Sequence, residues 1–243
     1  MKGHNELNQA INQYLGKYGF GHFSPKAVLF DMDGVLYDSM PNHAISWHKA
    51  MATFGLEIPY DGAYRYEGMR GVETIKLLAR QQWQRELSDE EAQHMYDVKS
   101  QFFRKQGAPR KMYGITPLMQ QIKEEGLKIG IVTGSGQHSL LDQLETAFKG
   151  LVHRSLIVTS YDVKHGKPAP DPYLMGMEKA QVEPWQTIVV ENAPLGIRAA
   201  TAAHCFTVGV NTGPLPNEEL IEAGADLVLP SINSLNKNWP KFF

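Results

Sequence analysis

The run Ala27-Val28-Leu29-Phe30 is continuously apolar and stops at Asp31. Continuous apolarity suits a strand buried on both faces of a parallel sheet. Similar runs recur at Ile129-Gly130-Ile131-Val132, Leu156-Ile157-Val158, Thr187-Ile188-Val189-Val190, Phe206-Thr207-Val208-Gly209-Val210 and Leu227-Val228-Leu229. Helical segments lie between most of them. Thr116 and Pro117 read as an N-cap and first-turn proline for a helix running to about Glu125, with Gly126 as its stop. Residues 195–203 form another short, Ala-rich helix. Strands alternating with helices predict an α/β fold, a right-handed, doubly wound parallel sheet of Rossmann-like type. Such sheets bind ligands beyond the carboxyl ends of their strands.

Residues 41–110 break the alternation. They carry helical patterns over 43–54, 72–85 and 89–104 with no strand-like run, and Ser88 with Glu91 has capping-box spacing. This predicts a helical cap domain at 41–110, inserted into a core made of 25–40 and 111–243, with both connections as hinges for a lid. Residues 1–24 are polar, with a weak helical pattern in Leu7, Ile11 and Leu15, and read as a docking extension.

With 24 Lys and Arg against 26 Asp and Glu, the formal net charge is -2, so no bulk field draws the chain to nucleic acid or to an anionic membrane. A small-molecule partner is the expectation. The single cysteine, Cys205, cannot form an internal disulfide and reads as buried packing. No stretch has the length of an apolar membrane span and the N-terminus lacks a charged-then-apolar signal pattern, so the expected location is cytoplasmic. Oligomeric state is open, a monomer among the options.

Several strands run directly into a reactive side chain. The first ends in Asp31, another in Thr133, and a later one in Glu191 and Asn192. Parallel pairing gathers them along one sheet edge. Asp31 alone is equally readable as a cap or turn residue; the convergence is what points to chemistry. Asp31 and Asp33, spaced i and i+2, project to one side of extended chain, and Gly34 allows close backbone approach to a ligand. One carboxylate can attack phosphorus, and the second can protonate the leaving oxygen and then activate water. Phosphoryl transfer also needs positive charge and hydrogen-bond donors around the phosphate oxygens. Mg2+, Thr133 and Lys167 can supply them. Mg2+ prefers oxygen and takes few protein ligands, matching Asp31, the main-chain carbonyl of Asp33, and Glu191 with Asn192.

Four ordered segments, Phe30-Asp31-Met32-Asp33-Gly34-Val35-Leu36-Tyr37-Asp38-Ser39, Val132-Thr133-Gly134-Ser135, Gly166-Lys167-Pro168-Ala169-Pro170-Asp171 and Val190-Glu191-Asn192-Ala193-Pro194-Leu195-Gly196, resemble the motifs of the haloacid dehalogenase (HAD) superfamily. The resemblance spans about residues 26–230. It implies Asp31 as nucleophile, Asp33 as general acid and base, Thr133 and Lys167 as phosphate binders, and Glu191 with Asn192 as the metal end. The helical insert resembles the cap of the β-phosphoglucomutase-like subgroup.

Two departures stand out. Many relatives have Asp in place of Asn192, so this site carries one negative charge fewer and a weaker Mg2+ site is expected. In the cap, β-phosphoglucomutases place an Arg three residues after a Gly, whereas Gly68 is followed by Met69 and then Arg70, with Glu67 before it. Glu67 and Arg70 are therefore where substrate binding is expected to differ. His43 with Trp47, and Lys99, agree with the mutase pattern. His43 either faces the cleft near Asp33 or is a surface His on an amphipathic helix, and Lys99 and Arg70 are either substrate contacts or solvated charges. Gly134 and Ser135 resemble a phosphate-site loop, since Gly134-Ser135-Gly136 lacks nucleophile-elbow spacing. His138, His153 and His165 have no paired-ligand spacing and read as surface or satisfied core residues.

The leading expectation is a phosphohydrolase acting on a small phosphorylated metabolite or pyrophosphate through an aspartyl phosphate. A β-phosphoglucomutase shares that intermediate and is the nearest rival. A catalytically idle binding protein is the alternative of another class, and retention of Asp31, Asp33, Thr133 and Lys167 argues against it.

Overall fold

A computed structural model describes residues 2–135 and 138–242, with the side chains of 2–4 and 138–141 outside that description. All six apolar runs form strands: β1 (Ala27–Phe30), β2 (Lys128–Val132), β3 (Ile157–Val158), β4 (Thr187–Glu191), β5 (Phe206–Val210) and β6 (Leu227–Leu229). They make one parallel sheet in the order β3-β2-β1-β4-β5-β6. The chain winds outward from β1 to one side, then returns to β4 and winds to the other. The gap between β1 and β4 is therefore the switch point at which such sheets open a crevice. Phe30 is level with Ile131 on β2 and Val190 on β4, so the residues that follow on each strand arrive together at one edge.

Both faces of β1 are covered, as its unbroken apolarity predicts. Val28 and Phe30 point into a layer shared with α1 (Lys2–Tyr18), α6 (Ile115–Glu124), α7 (His138–Ala147) and α11 (Ile232–Asn238). Leu29 points the other way, onto Tyr173 and Met177 of α8 (Asp171–Ala180) and Ala199 and Ala200 of α9 (Pro194–Ala202). Burying each large apolar side chain is worth roughly 1.5–3 kcal/mol, so the two layers together fix the direction in which β1 delivers Asp31. The N-terminal segment docks through Leu7, Ala10 and Tyr14, and the Tyr14 and Tyr18 hydroxyls donate to the His204 and Thr201 carbonyls at 2.9 Å each. Cys205 is buried, as expected, with its Sγ 3.6 Å from Met177 Sδ, and burial pushes its thiol far up.

One element starts differently from its sequence reading. The N-cap of α6 is Gly114 rather than Thr116, which lies inside the helix. Gly114 has φ 93°, and a Cβ there would come within 2.7 Å of Asn233 Cα, so close approach of α11 selects glycine at that corner.

Between β1 and β2 lie α2 (Met40–Thr53), α3 (Gly62–Arg65), α4 (Gly71–Trp83) and α5 (Asp89–Arg104). The Ser88–Glu91 capping box forms as expected, with both reciprocal bonds made. The four-residue α3 was not expected, because one turn is too short to show a period. The two connections to the insert run side by side: Asp38 N–H donates to Arg110 O at 2.8 Å and Met112 N–H to Leu36 O at 2.9 Å. Helical residues Ala44, Met51, Ile75 and Leu78 share a cluster with Ile197, Leu215 and Leu220, the last on α10 (Asn217–Glu222). The insert thus packs against the sheet-bearing part as well as within itself. No helix among the described residues is long and apolar enough to cross a membrane.

Candidate active site

Asp31, Asp33, Thr133, Lys167, Glu191 and Asn192 are all buried, and all six gather at the carboxyl edge of β2, β1 and β4. Lys167 Nζ donates to Asp31 Oδ1 at 2.5 Å, Glu191 Oε1 at 2.6 Å and the Val132 carbonyl at 3.3 Å, which uses its three hydrogens. Burial works against its charge, but Asp31 and Glu191 hold the ammonium above its ordinary range. The remaining Asp31 oxygen, Oδ2, is buried with no hydrogen-bond partner. Burial pushes the Asp31 carboxyl up to about 7 against the lowering pull of Lys167, and Glu191 and Asp33 add to the rise.

Asp33 sits in a different setting. Its Oδ1 accepts from Ser39 Oγ at 2.5 Å and lies 3.3 Å from His43 Nε2. Lys99 Nζ stands 2.8 Å from Nδ1 of the same imidazole. An ammonium can only donate, so Nδ1 accepts and Nε2 carries the proton toward Asp33. Burial and Lys99 lower His43 below its ordinary range, against the raising effect of Asp33. Burial raises Asp33, yet His43, Ser39 and Lys99 outweigh it and hold the carboxyl below the ordinary range. Lys99 is itself lowered to about 8 by burial, and it lies over the rings of Trp47 and Phe103, with Nζ 5.1 Å from each centroid. His43 and Lys99 thus belong to the cleft rather than to solvated helix faces.

The backbone around these residues is shaped for close approach. Gly34 has φ 83°, and a Cβ there would come within 2.1 Å of Asn192 Nδ2. The neighbour that demands glycine is therefore the Asn192 side chain, in addition to any ligand. Asn192 Oδ1 is left buried and unpartnered, like Asp31 Oδ2 on the adjacent strand. Two uncompensated buried oxygens at the ends of neighbouring strands suit a hard cation, and they are the structural argument for a metal here. No cluster of three or more His, Cys, Asp or Glu stands at metal-binding geometry among the described residues, so a cation would rest on few carboxylates.

Glu191, expected at the metal end, pairs with Lys167 in this structure. Its Oε1 accepts from Lys167 and from the Tyr173 hydroxyl at 2.7 Å, and its Oε2 accepts from the Asn192 and Ala193 amides at 3.0 and 3.3 Å. Those donors fill the lone-pair sites of the carboxylate. Gly196 makes room for it, since a Cβ there would lie 1.8 Å from Glu191 Oε1. Tyr173, Ser39 and Gly196 had no role in the sequence reading. Ser39 closes the first motif and could have been noticed; Tyr173 has no sequence signal beyond lying six residues after Lys167.

Thr133 Oγ1 accepts from the Ser135 amide at 3.1 Å, which leaves its own proton free to donate. Gly134 lies against the helical insert, where a Cβ would meet the Gly68 carbonyl at 3.2 Å. Glu67 and Ser135 line a cavity of roughly 600 Å³ that also takes in Asp33, His43, Trp47, Tyr96 and Lys99. Burial, with Asp33 and Asp31, pushes the Glu67 carboxyl up to about 8 against Lys99 and Lys167. Arg70 stands outside that cavity and lines a smaller pocket with Thr133, Gly134 and Lys167. Its Nη2 donates to the Ser160 and Val163 carbonyls at 3.1 and 2.5 Å, so its guanidinium ties the insert to the loop after β3 rather than entering the large cavity. His165 pairs with Asp171 at 2.9 Å and His153 is exposed, while Gly136 and the His138 side chain lie outside the described residues.

The chain matches the family described as haloacid dehalogenase-like hydrolase over residues 28–210. A Bacteroides vulgatus protein whose solved structure carries the name "Putative beta-phosphoglucomutase" is 44% identical, with a TM-score of 0.94 over 98% of this chain and 96% of that one. Hexitol phosphatase A of Escherichia coli is 27% identical over 86% of this chain and 93% of its own length. The β-phosphoglucomutase of Bacillus subtilis is 27% identical over 89% of this chain and 96% of its own. With the four motifs assembled at one sheet edge beneath a helical insert, the chain belongs to the haloacid dehalogenase-like hydrolase family.

Proposed function

We propose that this protein is a Mg2+-dependent phosphohydrolase that uses Asp31 as nucleophile on a small phosphorylated metabolite, sugar phosphates first, or on pyrophosphate. The observation that carries the reading is the asymmetry of the Asp31 carboxylate: one oxygen is fixed by Lys167 and the other is buried and unpaired. A carboxylate held this way is oriented for attack and incompletely neutralised, which is costly unless a ligand completes it.

Mg2+ would be held by Asp31, Asn192 and the main-chain carbonyl of Asp33, the rest of its shell coming from water and phosphate. When bound, it offsets the negative charge of the phosphate beside the carboxylates. Thr133 has a free hydroxyl proton for a phosphate oxygen, and Lys167 fixes the plane of Asp31. Ionised Asp33 takes a proton from the incoming phosphate monoanion; attack by an Asp31 oxygen on phosphorus then forms the aspartyl phosphate and releases the leaving group, to which Asp33 passes that proton. In the second half, ionised Asp33 takes a proton from water as that water attacks phosphorus, and Asp31 is restored. The neutral His43, donating through Nε2, keeps Asp33 aimed and ionised for this step. The cavity of roughly 600 Å³ beside Asp33 is large enough for a sugar-sized leaving group, and protonated Glu67 can donate to one of its oxygens.

The mutase reading is favoured by the 44% identical Bacteroides vulgatus relative. A phosphate-release screen with Mg2+ over sugar phosphates, nucleotides, phosphonates and pyrophosphate, run beside a coupled assay for glucose 6-phosphate formed from β-glucose 1-phosphate, decides. Free phosphate as the main product supports the hydrolase. A strong coupled signal with little free phosphate makes the protein a mutase.

A further inference from the structure

Tyr173 is fully buried on α8 among Leu29, Val132, Val158 and Met177, where its ring alone would satisfy the packing. Its hydroxyl is the part that needs an explanation, because a phenol in an apolar layer must find an acceptor. It finds Glu191 Oε1 at 2.7 Å, the same oxygen that takes Lys167 at 2.6 Å. The ring also lies under the ammonium, with Lys167 Nζ 5.2 Å from its centroid. One side chain therefore meets both halves of the ion pair, giving a hydrogen bond to the anion and a π face to the cation.

We infer that Tyr173 is a positioning residue for phosphoryl transfer, setting through Glu191 how far Lys167 leans toward the nucleophile Asp31. Lys167 is shared between Asp31 at 2.5 Å and Glu191 at 2.6 Å, a near-even division. The Tyr173 proton satisfies part of the Glu191 charge. Without it, Glu191 competes harder for the ammonium, and Lys167 withdraws from Asp31 and from the phosphate site. The effect falls on the reacting geometry rather than on capture of the substrate, which the cavity walls provide. This inference rests on Asp31 being the phosphoryl acceptor.

The test is Tyr173→Phe, which keeps the ring and removes only the hydroxyl, measured with the best substrate of the release screen in saturating Mg2+. The expected result is a kcat about tenfold lower with KM within about twofold, in a folded protein whose melting temperature falls by only a few degrees. Combined with Glu191→Gln, the second change should add little, because both act on one Lys167 contact. Should Glu191→Gln fail to fold, the kcat and KM of the single variant decide alone. Unchanged kcat, a loss confined to KM, or full additivity in the double variant overturns the inference. The two readings fail separately: full activity in Asp31→Asn removes the nucleophile, whereas an Asp31-dependent enzyme indifferent to Tyr173→Phe removes only the role of Tyr173.

Discussion

Lys99 Nζ lies 2.8 Å from His43 Nδ1, so an ammonium from the last insert helix fixes the tautomer of an imidazole on the first. The proton is thereby placed on Nε2, 3.3 Å from Asp33. Lys99→Met removes the cation that lowers His43 while leaving Asp33, which raises it, so the His43 pKa should rise from its lowered position toward or above the ordinary 6.5. Imidazole nitrogen shifts followed by NMR across pH 4–9 check this. A His43 titration unmoved by Lys99→Met contradicts the relay.

Arg70 joins the insert to the loop after β3 through two main-chain carbonyls. Arg70→Ala should lower kcat/KM about tenfold and open the connections near residues 38 and 110 to limited proteolysis, since hydrogen bonds from a charged donor contribute roughly 1.5–3 kcal/mol. Unchanged kinetics with unchanged protease resistance would show that closure does not depend on it.

Asn192 leaves a neutral oxygen where a second full charge could stand. Asn192→Asp should tighten the apparent Mg2+ affinity in activity titrations by about tenfold, because the charge of the ligand set tunes affinity for hard cations. Turnover that persists after thorough chelation, in either protein, contradicts the metal site.

Asp226 accepts from the Thr207 amide at 2.8 Å, and burial pushes its carboxyl up to about 6 from 3.8. A raised folded-state value means the contribution to stability is complete below about pH 3.8 and is lost as pH rises through about 6. Asp226→Asn should match the parent protein near pH 4 and be more stable by about 2 kcal/mol, or ~5 °C in melting temperature, at pH 7.5. Equal melting temperatures at both pH values contradict a raised Asp226.

The sheet was legible because its central strands, such as Ala27–Phe30, are buried on both faces and so read as unbroken apolar runs, while the half-buried edge strand Leu227–Leu229 is apolar as well. Asp31, Asp33, Thr133, Lys167 and Asn192 were legible because each follows a strand or stands in a recognisable ordered motif. What was not legible depends on which neighbour wins a shared side chain. Glu191 meets Lys167, Tyr173 and two amides, and nothing in its own segment announces those partners. The reach of Arg70 likewise depends on where the loop after β3 lies, and the Gly114 cap depends on the approach of Asn233 from the far end of the chain.

The central claim is that Asp31 carries the phosphoryl group. Acid quench during turnover, borohydride reduction and peptide mass spectrometry measure it directly, because reduction of an aspartyl phosphate leaves homoserine in place of aspartate. The account predicts homoserine at position 31 and none in the Asp31→Asn variant, which should be folded and inactive. Homoserine at another acid, or sustained turnover by Asp31→Asn, would contradict it.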